Sequence, residues 1–291
     1  MIAGKILIPF QKKKFWSWQE NVRFDCNAVV REVILLILYE IALSPFVQKI
    51  KIALREKDID FENRLAFSPE HREEFERVCQ RQEVPALVDG DAAIFDSTVI
   101  LDYIEERWPE PSLMPKSPEE RAEVRMLEEL CDTQLEALNF CLSEMVAFPP
   151  NNDDAASTVV ERGQLELRAI FDYLEKKLGT ADYFGGDCFS RADISILPHL
   201  NTAKVMKNGP NSKNLTAWLE RVNNRASVLA TIAEVKEAMP IFKDMMIRIR
   251  TGKEKRHYRD HRLDCLLRSG GSPILFDRIA DGSVRFPPSF S

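Results

Sequence analysis

The chain has 291 residues, 45% of them hydrophobic and 30% charged, with 46 acidic side chains against 40 basic ones and a net charge of -6. This is the composition of an ordinary folded protein with room for two domains. Residues 33–249 hold 38 acidic and 25 basic side chains, and an acidic body of this kind argues against nucleic acid as the main partner.

The basic charge is concentrated at the ends. Residues 1–32 carry six Lys/Arg and three Asp/Glu, and residues 250–291 carry nine and five. Such ends could touch a membrane surface, although charged tails are more often simply solvated. Lys12–Lys14 followed by Phe15, Trp16 and Trp18 continues into no amphipathic pattern, so 1–32 reads as a poorly ordered extension. It has no apolar core with a small-residue cleavage site, as a secretory signal would. The six cysteines, at 26, 79, 131, 141, 188 and 265, include no C-x-x-C pair and no zinc spacing. Free thiols in a reducing, cytoplasmic setting are the simplest reading.

From Val33 the pattern becomes regular. Val33–Tyr39 is a seven-residue apolar run, the length of a buried strand. Ser44 then suits an N-cap and Pro45 the first helical position. Phe46, Ile50, Ala53 and Leu54 recur on one helical face. A serine at a helix N-terminus sits among free N–H groups, where a thiolate or phosphate is stabilised. Taken alone, the stretch leaves two roles open for Ser44, a helix cap or a partner for such an anion.

Ile59–Leu65 alternates as a second strand, and a right-handed crossover would set it parallel to the first. His71–Cys79 is a short charged segment with Phe75, Val78 and Cys79 on its apolar side. Val84-Pro85-Ala86-Leu87-Val88 suits a strand opening on proline, and a cis bond there would turn the Val84 backbone outward. Asp89-Gly90-Asp91 signals a hairpin, and Asp96-Ser97 opens a helix carrying Leu101, Ile104 and Trp108. Prolines at 109, 111, 115 and 118 mark a linker over 108–117.

Everything beyond the linker reads as helical. Leu127, Cys131, Leu135, Leu138 and Leu142 line one face of a long helix that Pro149-Pro150-Asn151-Asn152 breaks. Leu167–Leu178 forms the next, and Ser190 with Asp193 makes a capping box ahead of another. The expected organisation is an extension (1–32), a small mixed domain (33–107), the linker (108–117), a helical domain (118–249) and a second extension (250–291).

This order of elements resembles the cytosolic glutathione S-transferases, over about Val33–Val235. Ser44-Pro45-Phe46 with Lys49 and Ile52-Ala53-Leu54 is similar to the serine-type active-site segment of that family. Val84-Pro85-Ala86-Leu87 resembles its cis-proline strand, Asp96-Ser97 its acid–serine pair, and Phe189–Ile194 its second-domain capping box. The resemblance implies an α+β fold, a thioredoxin-like domain followed by an all-α domain, and a homodimer. It implies glutathione as co-substrate, with no metal, and a small apolar electrophile as the second substrate. Ser44 would then donate to the glutathione sulfur as the catalytic group, with Pro45, Phe46, Val84, Pro85, Asp96 and Ser97 in the glutathione site. Val84 would pair with the cysteinyl backbone, Ser97 hold the γ-glutamyl carboxylate and Asp96 take the ammonium. The alternative is a non-catalytic binding or interaction module on the same scaffold.

Two departures stand out. The family often carries a basic residue before its Val-Pro pair, where it helps to hold the glycine carboxylate. Here Glu83 stands instead, as it does in branches resembling ganglioside-induced differentiation-associated protein. The run from Arg250 onward, including Arg256–Arg262, has no counterpart in the resemblance. Other candidates read as structural: Tyr39 as a buried core tyrosine, Cys131 and Cys141 as core, His71 as solvent-facing and His199 as helical packing. His257 and His261 read as part of a solvated basic helix rather than a metal pair.

Overall fold

A computed structural model describes residues 36–285, so the readings made for residues 1–32 lie outside the described residues. Strand β1 (Leu36–Glu40) is central to a four-stranded sheet of order β2-β1-β3-β4. It pairs in parallel with β2 (Phe61–Leu65), Leu36 facing Phe61 and Glu40 facing Leu65. Strand β3 (Ala86–Asp89) runs antiparallel to β1, and β4 (Ala92–Phe95) returns along β3. Gly90 in the connecting turn has φ 59°, a left-handed conformation that glycine adopts without steric cost.

The two-residue period of the strands divides the small domain into two cores. Leu36, Leu38 and Leu87 face α1 (Pro45–Glu56) and α3 (Ser97–Arg107). Tyr39 and Ala86 face the other way, against Phe75 of α2 (Arg72–Val78) and Cys79. Each face is buried, which is why β1 reads as a continuous apolar run. The Val84–Pro85 bond is cis.

In the helical domain, α4 (Pro118–Leu130) passes through a π-helical turn (Cys131–Leu135) into α5 (Glu136–Ala147). The long helix expected from the Leu127–Leu142 pattern is therefore interrupted. The inserted turn rotates the residues that follow it without breaking the apolar face. Helix α6 (Asp153–Leu178) starts after the two prolines with Asn152 accepting from Ala155 N–H at 2.9 Å. Helix α7 (Arg191–Val205) carries the capping box, and buried Asp193 also accepts from Phe184 N–H at 2.9 Å and Trp218 Nε1–H at 2.8 Å. Helices α8 (Lys213–Asn223), α9 (Ala226–Glu237) and α10 (Met239–Arg250) complete the bundle.

The residues after α10 correct two expectations. Strand β5 (Arg256–His257) pairs in parallel with β6 (Val284–Arg285), so the helical pattern read beyond the linker holds for the helical domain but not throughout the residues after it. Helix α11 (Asp260–Arg268) packs on α5, and α12 (Ser272–Ala280) packs on α6. The segment 256–262 is thus neither a single helix nor solvated. Tyr258 is 1% exposed and donates to Glu144 Oε2 at 2.9 Å, while Arg262 and His261 both bind Glu136. The basic side chains are held by acids on α5, 125 and 126 residues away in sequence.

Candidate functional site

The N-terminus of α1 is where the sheet meets the helical domain. Ser44 occupies the N-cap position with extended backbone (φ -65°, ψ 123°), and its carbonyl accepts from Val47 and Gln48 N–H at 3.1 and 3.0 Å. Its hydroxyl makes no capping hydrogen bond. Half-buried at a helix start, that Oγ–H is left over for something else. Tyr39, by contrast, is wholly buried, and burial together with a hydrogen bond to Glu74 pushes its hydroxyl up to about 12. It belongs to the core behind the sheet.

Beside this helix start lies a cavity of about 310 Å³, at the lower end of the ~300–1,000 Å³ of small-molecule sites. The small domain contributes Phe46, Glu83, Val84, Pro85, Asp96 and Ser97 to its wall. Five of the residues expected in a site are therefore brought together: Phe46, Val84, Pro85, Asp96 and Ser97. Ser44 and Pro45 do not line this cavity; they form the turn immediately preceding Phe46. Among the described residues the Val84 N–H and C=O make no hydrogen bond, and strand pairing begins only at Ala86. An open stretch of backbone thus borders the cavity, the requirement for adding an extended peptide as a further strand.

Asp96 sits at the N-cap of α3 with φ 74°, a left-handed conformation uncommon for a residue with a Cβ. Its Oδ1 accepts from Thr98 N–H at 3.0 Å and Val99 N–H at 3.3 Å, which offsets the backbone strain. Ser97 follows as the first helical residue, nearly buried, at the positive end of the α3 dipole.

The helical domain supplies the opposite wall through Glu129, Asp132 and Thr133, at and beside the π-helical turn. Below them lies a buried charge cluster. Lys49 Nζ of α1 is 2.8 Å from Glu128 Oε1 and also binds Asp132. Burial opposes the Lys49 charge, but Asp132 and Glu128 outweigh it and raise its pKa. Burial likewise works against ionised Asp132, yet Lys49 and His199 bring its pKa below the usual value. His199 Nε2 is 3.6 Å from Asp132 Oδ1, and its ring meets Phe46 edge-on at 5.9 Å. Glu128 also binds Arg191, whose Nη2 donates to Thr98 O at 3.1 Å. The turn carrying Asp96 and Ser97 is thereby braced from the helical domain.

Two lining residues, Arg259 and His261, come from the segment after β5. Neither was expected from sequence, nor were Asp132 and Thr133. Asp132 is one of four acids between Leu127 and Leu142, and nothing in the sequence singles it out.

The glutathione S-transferase N-terminal domain family matches residues 38–112, and the glutathione S-transferase C-terminal domain family matches residues 130–226. The chain belongs to the glutathione S-transferase superfamily. Glutathione S-transferase U6 of Arabidopsis thaliana is 31% identical over 169 residues, covering 53% of this chain and 67% of the relative. Glutathione S-transferase U28 of the same plant is 27% identical over 209 residues, 66% of this chain and 85% of that one. A stringent starvation protein A homolog from Histophilus somni is 25% identical over 193 residues, 65% of this chain and 86% of its own. The crystal structure of a glutathione S-transferase from Rhodospirillum rubrum superposes with a TM-score of 0.57 at 27% identity, over 67% of this chain and 90% of that one. A thioredoxin-like domain followed by a helical domain is thus the transferase architecture, and the cavity lies between those two domains. Among the described residues no helix is long and apolar enough to cross a membrane.

Proposed function

We propose that this transferase binds glutathione in the cavity and presents its thiolate to an electrophilic carbon of an apolar substrate. The observation that carries the reading is the Ser44 hydroxyl, at the N-cap of α1 yet uncommitted to its own helix. A free thiol titrates near ~8.5, so little of it is thiolate at neutral pH. A hydrogen bond from Ser44 Oγ–H, added to the α1 dipole, favours the charged sulfur and lowers that value by roughly one to two units.

Val84 pairs its open backbone with the cysteinyl unit, and Pro85 and Phe46 form the apolar bed beneath it. Ser97 and the start of α3 receive the γ-glutamyl carboxylate, and Asp96 faces its ammonium through the oxygen not used in capping. The thiol proton passes to water. The thiolate sulfur then forms a bond to the electrophilic carbon as the bond from that carbon to its leaving group breaks, and the leaving group departs with the electron pair. Ser44 remains protonated throughout and donates rather than attacks.

The protein works in a reducing compartment, the cytoplasm, since buried Cys79, Cys131, Cys141 and Cys265 are all free thiols. It acts as a homodimer, for which Val99 of α3 and Met126 of α4, each 53% exposed, leave apolar surface. Conjugation of a model aryl halide tests the enzymatic reading. Measurable turnover that falls at least about tenfold in Ser44→Ala supports it, and turnover unchanged by that substitution removes Ser44 from the mechanism.

A non-catalytic role is favoured by one observation, the similarity to a relative whose name is not that of a transferase. Retention on immobilised glutathione without any conjugation would select that role.

A further inference from the structure

The cavity wall is rich in carboxylates: Glu83, Asp96, Glu129 and Asp132. Asp132 is neutralised by Lys49, and Asp96 caps α3. Glutathione brings two carboxylates and one ammonium, so an acidic wall must contain a cation to hold it. Ser97, at the α3 N-terminus, is part of the cavity wall. Glu83, next to Val84 along the chain, is in the same wall, and by itself it repels a carboxylate.

Glu83 is not by itself. Its Oε2 is 3.0 Å from Arg81 Nη2, and its Oε1 is 3.3 Å from Arg259 Nε. His257 Nε2 is 4.0 Å from the same Oε1. Arg259 lies in the cavity wall, 22% exposed, with its guanidinium 5.4 Å from the centre of the Phe46 ring. Among the described residues its terminal nitrogens, Nη1 and Nη2, make no hydrogen bond. The other basic residue in the wall, His261, is engaged 2.8 Å from Glu136. Arg81 is not part of the wall.

The backbone that carries Arg259 is fixed on both sides. Tyr258 is buried and bound to Glu144, which also accepts from Arg278 Nη1 at 2.6 Å. Arg262 is bound to Glu136 and donates to His257 O at 2.9 Å. A guanidinium with two open donors, on a pinned segment, is a preorganised fork for a carboxylate.

We infer that the segment Arg256–Arg262, which neither family match covers, is part of the binding site, and that Arg259 supplies the cation for the glycine carboxylate of glutathione. The inference rests on the glutathione reading above and adds the residue that makes it electrostatically workable. Glu83 then acts as a positioning residue. Its ion pair with Arg259 is closest at Nε, so the two terminal nitrogens are left for the ligand.

Calorimetry on the full chain tests this with two ligands: glutathione, and its analogue amidated at the glycine carboxyl. The wild type is expected to bind glutathione roughly tenfold or more tighter than the amide, the size of a charge-assisted pair. Arg259→Ala should weaken glutathione by about the same factor and leave the amide within about twofold. Arg259→Gln, which keeps most of the side-chain volume, should lose the same preference, so the result does not depend on the alanine variant folding. Glu83→Gln should weaken glutathione less than Arg259→Gln does and leave the amide within about twofold, because Arg259 loses the carboxylate that positions it. If Arg259→Gln keeps the preference for the free carboxylate, or weakens both ligands equally, the assignment of Arg259 is overturned while the glutathione site stands. If the wild type binds neither ligand, the glutathione reading fails and takes this inference with it.

Discussion

Lys49 of α1 and Glu128 of α4 form a fully buried ion pair, 2.8 Å long, between the sheet domain and the helical domain. Glu128 also takes Arg191 at 2.7 Å through its other oxygen, so one carboxylate neutralises a cation from each side of the cavity floor. Removing a buried partner leaves charge without solvent or counter-charge, which typically costs ~3–5 kcal/mol. Glu128→Ala is expected to destabilise the protein by that order, read as a shift in urea midpoint. It should also slacken the turn at Asp96 and Ser97, which Arg191 braces, and so weaken glutathione binding.

Replacing Ser44 by cysteine is expected to change the chemistry rather than abolish it. A thiol at the same helix N-terminus becomes acidic and forms mixed disulfides with glutathione. Mass spectrometry after incubation with oxidised glutathione should find one added glutathionyl group at position 44 in that variant and none there in the wild type.

Tyr39 should prove dispensable for turnover. Its hydroxyl is buried behind the sheet, 3.5 Å from Arg64 Nη1 and held up at about 12 by burial and Glu74. A group that stays neutral and faces another core has no part in thiol ionisation. Tyr39→Phe is expected to leave conjugation within about twofold and cost ~1 kcal/mol of stability.

Glu136 clamps the segment that carries Arg259. Burial works against its charge, but Arg262 and His261 hold its carboxyl well below the ordinary value of 4.5. A depressed carboxylate contributes stability that is fully present above about 4.5 and is lost as pH falls toward its folded value. Wild-type melting temperature should therefore drop between about pH 5 and about pH 3. Glu136→Gln should start lower and show a shallower drop over that range.

Much of the sheet domain was legible because its signals are local. The apolar run into Tyr39, the Ser44-Pro45 helix start, the Val84-Pro85 pair and the Asp96-Ser97 cap each declare themselves within a few residues. The π-helical turn did not, since the Leu127–Leu142 pattern tolerates one inserted residue without losing its apolar side. That insertion nevertheless accompanies the entry of Asp132 and Thr133 into the cavity wall. The tail was misread for a different reason. Arg256-His257-Tyr258-Arg259 has no apolar period, and its order comes from Glu136, Glu144 and Glu83, acids more than a hundred residues away in sequence. Buried Lys49 and Lys51 make the same point, because their charges are answered from α4, the π-helical turn, β1 and α9 rather than from their own helix.

The most direct test is the titration of glutathione bound to the protein, followed by the ultraviolet absorbance of its thiolate. Ser44 at the start of α1 predicts a bound thiol roughly one to two units more acidic than the free value of ~8.5, and a return toward the free value in Ser44→Ala. A bound thiol that titrates where the free one does, or a shift that survives the loss of the Ser44 hydroxyl, would contradict the account.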